Sequence, residues 1–600
     1  MAPLETLVQE WLSLDQNPDT RREIEELWAA RNEAELERRL RKRIEFGTAG
    51  LRARMEAGFS RMNDVTVIQA SQGLAAYLAE NVADAESKGV VIGYDHRHHS
   101  ERFAYLTATA FLGRNFKVYL HRGIVHTPLV PFTVARLKAA GGIMITASHN
   151  PKDDNGYKVY WENAVQIINP HDTGIAAAIE RNLVPRTWDT ASVTSSSMCL
   201  DVTSEMKAAY FKTLESIGVS MDSNPSCSVK FVNTSMHGVG NAFVESAWKA
   251  FGFPPYIPCK VQMNPDPDFP TVKFPNPEEK GEPQSNEAMK EADAAGAQYV
   301  LAQDPDADRF TAAQKLPDGT WRQFSGDQIG AILASWSIEC YRRRSGDLNK
   351  LAMVASTVSS KMLEAMAAKE GFKFVESLTG FKYIGNAALE LIAQGYQVPF
   401  AYEEAIGFML NTGIHDKDGV AASVFFAELV AWLHTKGSSI AIHLDELYKK
   451  YGYFETSNSY FFCSDPSTVD RIFGRLRAWS PGADVSSASY PTSIAGLTIT
   501  RVRDLTVGHA HDSSNPPSFE PDLPLSGGHM ITFRAEQKGE QADALRIVLT
   551  IRTSGTEPKI KYYLEATGAH QEQVRNILSA VVNELSESWM EATKNGITRP

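Results

Sequence analysis

Paired cysteines are missing from this chain. Its five, Cys199, Cys227, Cys259, Cys340 and Cys463, are scattered, odd in number and free of any C-x-x-C spacing. That argues against a disulfide framework or a thiolate zinc site and fits reduced thiols in a cytoplasmic protein. Long apolar runs are missing too: nothing approaches the roughly 18 continuous apolar residues of a membrane span. The start, Met1-Ala2-Pro3-Leu4-Glu5, lacks the basic region and apolar core of a secretory signal. No membrane partner is expected. Positive charge is in deficit, with a formal net charge of −12. This disfavours nucleic acid as a partner, although a local basic cleft could still attract phosphorylated metabolites.

What is present is an ordinary globular composition, 43% hydrophobic and 22% charged, spread over 600 residues. That length exceeds one core, so several domains are expected. The first forty-odd residues read as a helical leader, with Thr20-x-x-Glu23 and Asn32-x-x-Glu35 as capping boxes. Its run of Arg38, Arg39, Arg41, Lys42 and Arg43 is interleaved with glutamates and reads as a solvated helix face. From Ile44 strands and helices alternate, which means α/β. The strands fall at 90–94, 116–120, 142–145, 229–232, 299–302, 351–355, 372–375 and 399–402. After Gly452 four separated strands and the helices 467–479 and 570–589 suggest a smaller α+β domain. The Ser-, Pro- and His-rich stretch 508–528 reads as an inserted loop, with His509, His511 and His529 facing solvent rather than binding metal.

Four stretches carry chemistry. In Thr146-Ala147-Ser148-His149-Asn150-Pro151 a hydroxyl stands at a strand's carboxyl end, where open α/β sheets hold ligands. His149 and Lys158 add cationic or proton-carrying groups, and Gly156 permits close backbone approach; together they suit a phosphate carried on the serine oxygen. In Asp304-Pro305-Asp306-Ala307-Asp308-Arg309 three carboxylates follow a strand. In an extended chain they project to one side, where a hard divalent cation relieves their repulsion, and oxygen ligands favour Mg²⁺. Ser148 would complete that shell, and Arg309 could pair with its phosphate.

The third stretch, Glu403-Glu404-Ala405-Ile406-Gly407, lies between Thr379-Gly380-Phe381-Lys382 and His415-Asp416-Lys417-Asp418-Gly419. A carboxylate here could accept from sugar hydroxyls. Taken alone, paired glutamates after a strand read as a helix start or a salt-bridged surface, so the sugar reading leans on the other stretches. The fourth, Arg552-Thr553-Ser554-Gly555-Thr556-Glu557-Pro558-Lys559-Ile560-Lys561, gathers hydroxyls, a glycine amide and cations able to surround a phosphate.

These motifs, with Phe46-Gly47-Thr48-Ala49-Gly50-Leu51-Arg52 ahead of them, resemble in order and spacing those of the α-D-phosphohexomutase superfamily. The resemblance implies three mixed α/β sheet domains plus a C-terminal α+β domain of TATA-box-binding-protein type, around a central cleft. The boundaries expected are a leader to residue 43, then domains at 44–208, 209–326, 327–452 and 453–600. By position Ser148 would be the phosphoserine, with Asp304, Asp306 and Asp308 as Mg²⁺ ligands, and Arg52 and Lys158 would move protons beside His149. Thr379, Gly380, Lys382, Glu403 and Lys417 would contact the phosphosugar, and Arg552, Ser554, Gly555, Thr556 and Lys561 would clamp the phosphate that is not reacting.

The implied reaction passes the phosphoryl group of phospho-Ser148 to a sugar monophosphate, reorients the bisphosphate and recovers the other phosphoryl. A bisphosphate, glucose 1,6-bisphosphate or ribose 1,5-bisphosphate, would prime the serine. Many hexose-using members carry Glu-x-Ser in the sugar loop, whereas Ala405 follows Glu403 here. That form and the leader resemble the phosphoglucomutase-2 and phosphopentomutase (phosphoribomutase) branch, which acts on ribose and deoxyribose 1-phosphates and secondarily on glucose 1-phosphate. The alternatives are a glucose 1,6-bisphosphate synthase and a non-catalytic sugar-phosphate-binding protein. A monomer is expected.

Overall fold

Three short helices open the chain, Leu4–Leu14, Pro18–Ala29 and Glu33–Leu40, and each is amphipathic. Val8, Trp11, Ile24, Leu36 and Leu40 form one small core with Ala57, Phe59 and Val65. The second helix starts earlier than the Thr20 box predicts, because Asn17 accepts from the Asp19 amide at 3.0 Å and Pro18 sets the first turn. Thr20 lies inside the helix, donating to Asp15 Oδ2 at 2.6 Å. Asn32 caps the third helix as expected. Of the basic run, Arg41 pairs with Glu37 at 2.6 Å and Arg43 with Glu10 at 2.9 Å. Arg39 departs from the solvated reading: it is 8% exposed and bridges Glu23 and Glu35, each at 2.5 Å.

The computed structural model describes residues 2–272, 274–278, 283–480, 489–537, 544–554 and 558–600. The chain divides into two compact units, Met1–Val354 with Gly380–Ile440, and Ala355–Thr379 with Ala441–Pro600.

In the first unit a six-stranded mixed sheet runs in the order Leu51–Arg54, Asp154–Trp161, Gly141–Ile145, Val90–Tyr94, Val118–Leu120, Cys199–Asp201. The first two neighbouring pairs are antiparallel and the other three parallel. Its central strands are buried throughout, as strands covered on both faces must be. A five-stranded sheet follows, in the order Trp321–Gln323, Thr311–Lys315, Tyr299–Ala302, Phe231–Thr234, Ile257–Pro258. A third segment supplies the helix Gly326–Arg343, the hairpin Gln397–Glu403 with Gly407–Leu410, and the helix Gly419–Thr435.

The second unit is built on an antiparallel sheet of eight strands among the described residues, its centre made by Leu497–Asp504, Met530–Glu536, Arg546–Thr553 and Lys559–Gly568. The helices Pro466–Arg477 and Gln571–Glu584 bring Phe473 and Val581 into a core with Phe533, Leu549 and Trp589. This is the expected α+β pattern. Residues 355–379 are tied into the same unit by ion pairs. Glu376 meets Lys361 at 2.7 Å and Arg503 at 2.9 Å, and the Lys361 amide donates to Glu565 Oε1 at 2.7 Å. The histidines of the 508–529 stretch are half-buried instead of solvent-facing. His529 stacks on Phe473 at 4.4 Å and His511 on Phe519 at 5.4 Å, since an imidazole with an aromatic neighbour loses little by leaving water.

Candidate active site

Ser148 follows the strand Gly141–Ile145 by three residues and holds a left-handed backbone, φ +53°. That conformation is uncommon for a residue with a side chain, and it is pinned from outside. Arg97, in the loop after the neighbouring strand Val90–Tyr94, donates to the carbonyls of Ser148 and Asn150 at 2.6 Å, of Pro151 at 2.8 Å and of Asp154 at 3.1 Å. Five donors on one rigid fork make arginine suited to such a clamp. The loop is short because Gly156 lies against Thr146: a Cβ there would sit 2.5 Å from the Thr146 carbonyl. Arg52, whose strand registers with Gly156, donates to Asn150 Oδ1 at 3.1 Å.

The serine hydroxyl donates to Asp304 Oδ2 at 2.8 Å and lies 3.3 Å from His149 Nδ1. Burial, with Arg309 and Arg52 nearby, pushes His149 well below its ordinary range, so the imidazole is neutral. It is therefore not a cation.

Asp304, Asp306 and Asp308 do converge, but not by strand alternation. The chain turns after Asp304, with the Ala307 amide donating back to the Asp304 carbonyl at 2.9 Å and Ala307 at φ +54°. The expectation of an extended loop is thus corrected: a turn closed by Ala307 brings the carboxylates together. All three are at most 1% exposed, with ligand oxygens within 4.8 Å of one another. Lys158 Nζ meets Asp306 Oδ2 at 2.7 Å and Asp308 Oδ2 at 3.1 Å, while Thr127 Oγ1 donates to Asp306 Oδ2 at 2.7 Å. Burial and the adjacent Asp306 and Asp308 raise Asp304 well above the usual carboxylate range. Burial would raise Asp306 as well, but the Lys158 ammonium holds it below.

The other oxygens, Asp306 Oδ1 and Asp308 Oδ1, are buried without any hydrogen-bond partner. Orphaned carboxylate oxygens are costly unless a cation meets them, and an all-oxygen set is what Mg²⁺ takes. The residues present fit that ion, with Ser148 Oγ beside them.

The sugar loop is stitched to this group through the backbone. Arg309 bridges Gly407, and the Phe310 amide donates to the Ile406 carbonyl at 3.0 Å. Glu403 ends its strand buried, and burial pushes its carboxyl up to about 7 against the pull of Lys417. Lys417 Nζ reaches Asp308 Oδ2 at 3.4 Å and Asp416 Oδ1 at 3.5 Å. Lys382 donates to Thr48 of the opening motif. In that motif Gly50 has φ +74°, and a Cβ would stand 1.8 Å from the Tyr157 carbonyl, so only glycine fits.

The first unit therefore gathers Ser148, His149, Arg52, Lys158, the three aspartates, Arg309, Glu403, Lys417 and Lys382. Gly380 precedes the helix Phe381–Ala393 in that unit, and Thr379 closes the first segment of the second. Arg552, Ser554 and Lys561 belong to the second unit, on one hairpin: Arg552 registers with Lys561, and the Ser554 amide donates to the Lys559 carbonyl at 3.0 Å. Arg552 Nη2 donates to Tyr563 Oη at 3.0 Å. Gly555 and Thr556 lie outside the described residues.

Sequence reasoning passed over Arg97, Thr127 and Asp416. The last accepts from the Lys417 amide at 2.8 Å and from Gln166 Nε2 at 3.0 Å. For Arg97 a signal was there: Asp95-His96-Arg97 follows a buried strand just as the serine loop does.

Comparison with known proteins bears on the same residues. Profiles described as phosphoglucomutase/phosphomannomutase, alpha/beta/alpha domains I, II and III match residues 43–184, 208–317 and 325–451. The phosphopentomutase of Homo sapiens is 45% identical, with 99% of this chain and 97% of that protein covered. The glucose 1,6-bisphosphate synthase of Homo sapiens is 42% identical over 99% and 95%. Among solved structures, the open form of the Paramecium phosphoglucomutase parafusin shares the fold at TM-score 0.65 and 17% identity, covering 93% of this chain and 98% of that one. With the serine loop, the aspartate turn and the sugar loop all inside the matched domains, the chain belongs to the phosphoglucomutase/phosphomannomutase family of the α-D-phosphohexomutase superfamily.

Proposed function

We propose that the protein is a phosphosugar mutase, foremost a phosphopentomutase interconverting ribose 1-phosphate and ribose 5-phosphate, with deoxyribose accepted and a secondary phosphoglucomutase activity. The observation that carries the reading is the contact of Ser148 Oγ with Asp304 Oδ2 at 2.8 Å, inside a carboxylate group that leaves two buried oxygens without a hydrogen-bond partner. Full-length similarity to phosphopentomutases supports the pentose preference.

In the first half-reaction the phosphorus–Oγ bond of phospho-Ser148 breaks and a bond to a sugar hydroxyl oxygen forms. The hydroxyl's proton replaces the phosphoryl on Oγ, by way of Arg52, Lys158 or the neutral His149. The second half-reaction runs the same steps backward at the other end of the sugar. Asp304, Asp306, Asp308 and Ser148 would hold Mg²⁺, which when bound withdraws charge from the phosphoryl group. Arg309 pairs with the reacting phosphate. Glu403, Lys417, Thr379, Gly380 and Lys382 bind the sugar monophosphate, and Arg552, Ser554, Gly555, Thr556 and Lys561 take the idle phosphate. A sugar bisphosphate primes the serine, and the protein acts as a cytoplasmic monomer. Among the described residues no helix is long and apolar enough to cross a membrane.

The similarity to glucose 1,6-bisphosphate synthases favours a second reading, in which 1,3-bisphosphoglycerate supplies the phosphoryl group. The two part in one experiment. Ribose 1-phosphate and glucose 1-phosphate are incubated with enzyme with and without that donor. Isomerisation without it, with kcat/KM higher for ribose 1-phosphate, is the expected result; absolute dependence on the donor with bisphosphate accumulating would sink the mutase reading.

A further inference from the structure

Behind the sugar loop, on the opposite end of its hairpin, the first unit contains a cavity of about 500 Å³ that the reaction does not use. Sites for small organic ligands fall at about 300–1,000 Å³. We infer that this cavity binds a small organic phosphate with an apolar or aromatic body, of the size of a nucleoside monophosphate.

Its lining is mixed, and the part supplied by the hairpin is apolar. Val398 and Pro399 from one strand of the hairpin and Met409 and Leu410 from the other form the floor, and Phe425 forms part of the wall. Tyr341 and Tyr396 bring two rings to the lining, which suits a planar group. The rim is charged, with Arg344 and Lys350 accompanied by one carboxylate, Asp347, whose Oδ1 accepts from the Asn349 amide at 3.0 Å. Lys350 is exposed, and among the described residues no carboxylate pairs with it. Arg344 spends Nη2 on the carbonyls of Ser216, Ile217 and Gly218 at 2.7, 2.9 and 3.2 Å, leaving the rest of its fork to the cavity mouth. A partly apolar chamber whose rim sets two cations against one carboxylate favours a ligand with an apolar body and an anionic end. His415, on the same lining, is kept neutral by burial and can donate or accept one hydrogen bond there.

The cavity shares its parts with the sugar loop. Leu410 registers with Phe400, and three residues along each of the same two strands Gly407 registers with Glu403. Ile414 and His415 lead directly into Asp416 and Lys417. A ligand seated here contacts the elements that position Glu403 and Lys417, so its occupancy changes KM for the sugar phosphate; this consequence rests on the proposed function, whereas the binding itself does not.

The test measures binding to the full chain by calorimetry, with AMP, GMP, UMP and inorganic phosphate as probes, on wild type, Ser148→Ala, Lys350→Glu and Ile392→Glu. Ile392 lines the cavity and is 42% exposed, so both glutamates add repulsion at exposed positions. The expected result is saturable binding of at least one nucleotide, retained in Ser148→Ala and weakened about tenfold or more in each glutamate variant, as repulsion of the anionic end and, at Lys350, loss of one charge-assisted contact predict. Turnover of sugar phosphate without nucleotide stays unchanged in Lys350→Glu and Ile392→Glu. No saturable binding by any nucleotide, equal affinity for inorganic phosphate, or affinity unchanged in both glutamate variants each overturns the site. Binding with this pattern in a protein without mutase activity would leave the site standing and remove the functional reading.

Discussion

Ser148 holds a conformation that costs on the order of 1–3 kcal/mol for a residue with a side chain, and it keeps it because Arg97 grips both sides of the loop. In the proposed mechanism its hydroxyl stores the phosphoryl. Ser148→Ala is expected to abolish turnover, and intact-mass measurement after bisphosphate treatment should show one added phosphoryl on the wild type and none on the variant. Glu403 carries a pH dependence. Its carboxyl is raised to about 7 by burial, so below pH 7 it is protonated and loses acceptor capacity toward sugar hydroxyls. kcat/KM should therefore fall as pH drops through about 7, and Glu403→Gln should lower the plateau and remove that limb. Stability runs the other way. A raised carboxyl pKa makes the folded state bind the extra proton, so ionising Glu403 costs stability above pH 7, and the cost disappears below the unfolded value of 4.5. At Ala405 the sugar loop lacks a hydroxyl, and a site that hydrogen-bonds a substrate group discriminates strongly. Ala405→Ser should raise glucose 1-phosphate turnover relative to ribose 1-phosphate in a side-by-side assay; an unchanged ratio would remove that position from the specificity argument.

Among the elements, the serine loop and the aspartate turn show what could be read in advance. Both follow strands whose apolar runs, Gly141–Ile145 and Tyr299–Ala302, are visible as runs, and the polar residues after them are where ligands gather. The local shapes were not visible. Ala307 in a left-handed turn and Thr20 inside a helix are fixed by the Asp304 carbonyl and by Asp15, three and five positions earlier, contacts that residue type alone does not announce. Arg39 likewise reads as one of five basic residues until Glu23, sixteen positions earlier, comes beside it. Arg97 is the strongest case, since its four acceptors lie more than fifty residues on. Arg97→Lys keeps a charge beside Asp95 but has no planar fork to span those carbonyls. The variant should fold, with kcat reduced about tenfold to a hundredfold through a loosened serine, as displacements near 1 Å cost. A crystal structure of the variant with an unmoved loop and normal kcat would contradict the assignment.

For the whole molecule, the division into two units runs through the third α/β segment. Residues 355–379 stay with the second unit because Glu376 is shared by Lys361 and Arg503 and, at 3.8 Å, faces Arg534. Burial opposes its charge, but Lys361 and Arg503 hold Glu376 well below the ordinary carboxylate range. Glu376→Gln leaves buried cations short of a partner and should destabilise the second unit by about 3 kcal/mol. Differential scanning calorimetry or hydrogen exchange should place that loss in peptides from 355–379 and 497–536, with the first unit unaffected.

The same arrangement sets an order of events on the ribosome. The Lys361 backbone amide donates to the side-chain carboxylate of Glu565, 204 positions later. At roughly 5–20 residues per second, the segment 355–379 emerges some tens of seconds before the strand that completes its surroundings. Throughout that interval Lys361 and Glu376 have each other but not Arg503, Arg534 or Glu565, and Glu364 lacks Arg534, which leaves a solubilising set of charges on a segment that has to wait.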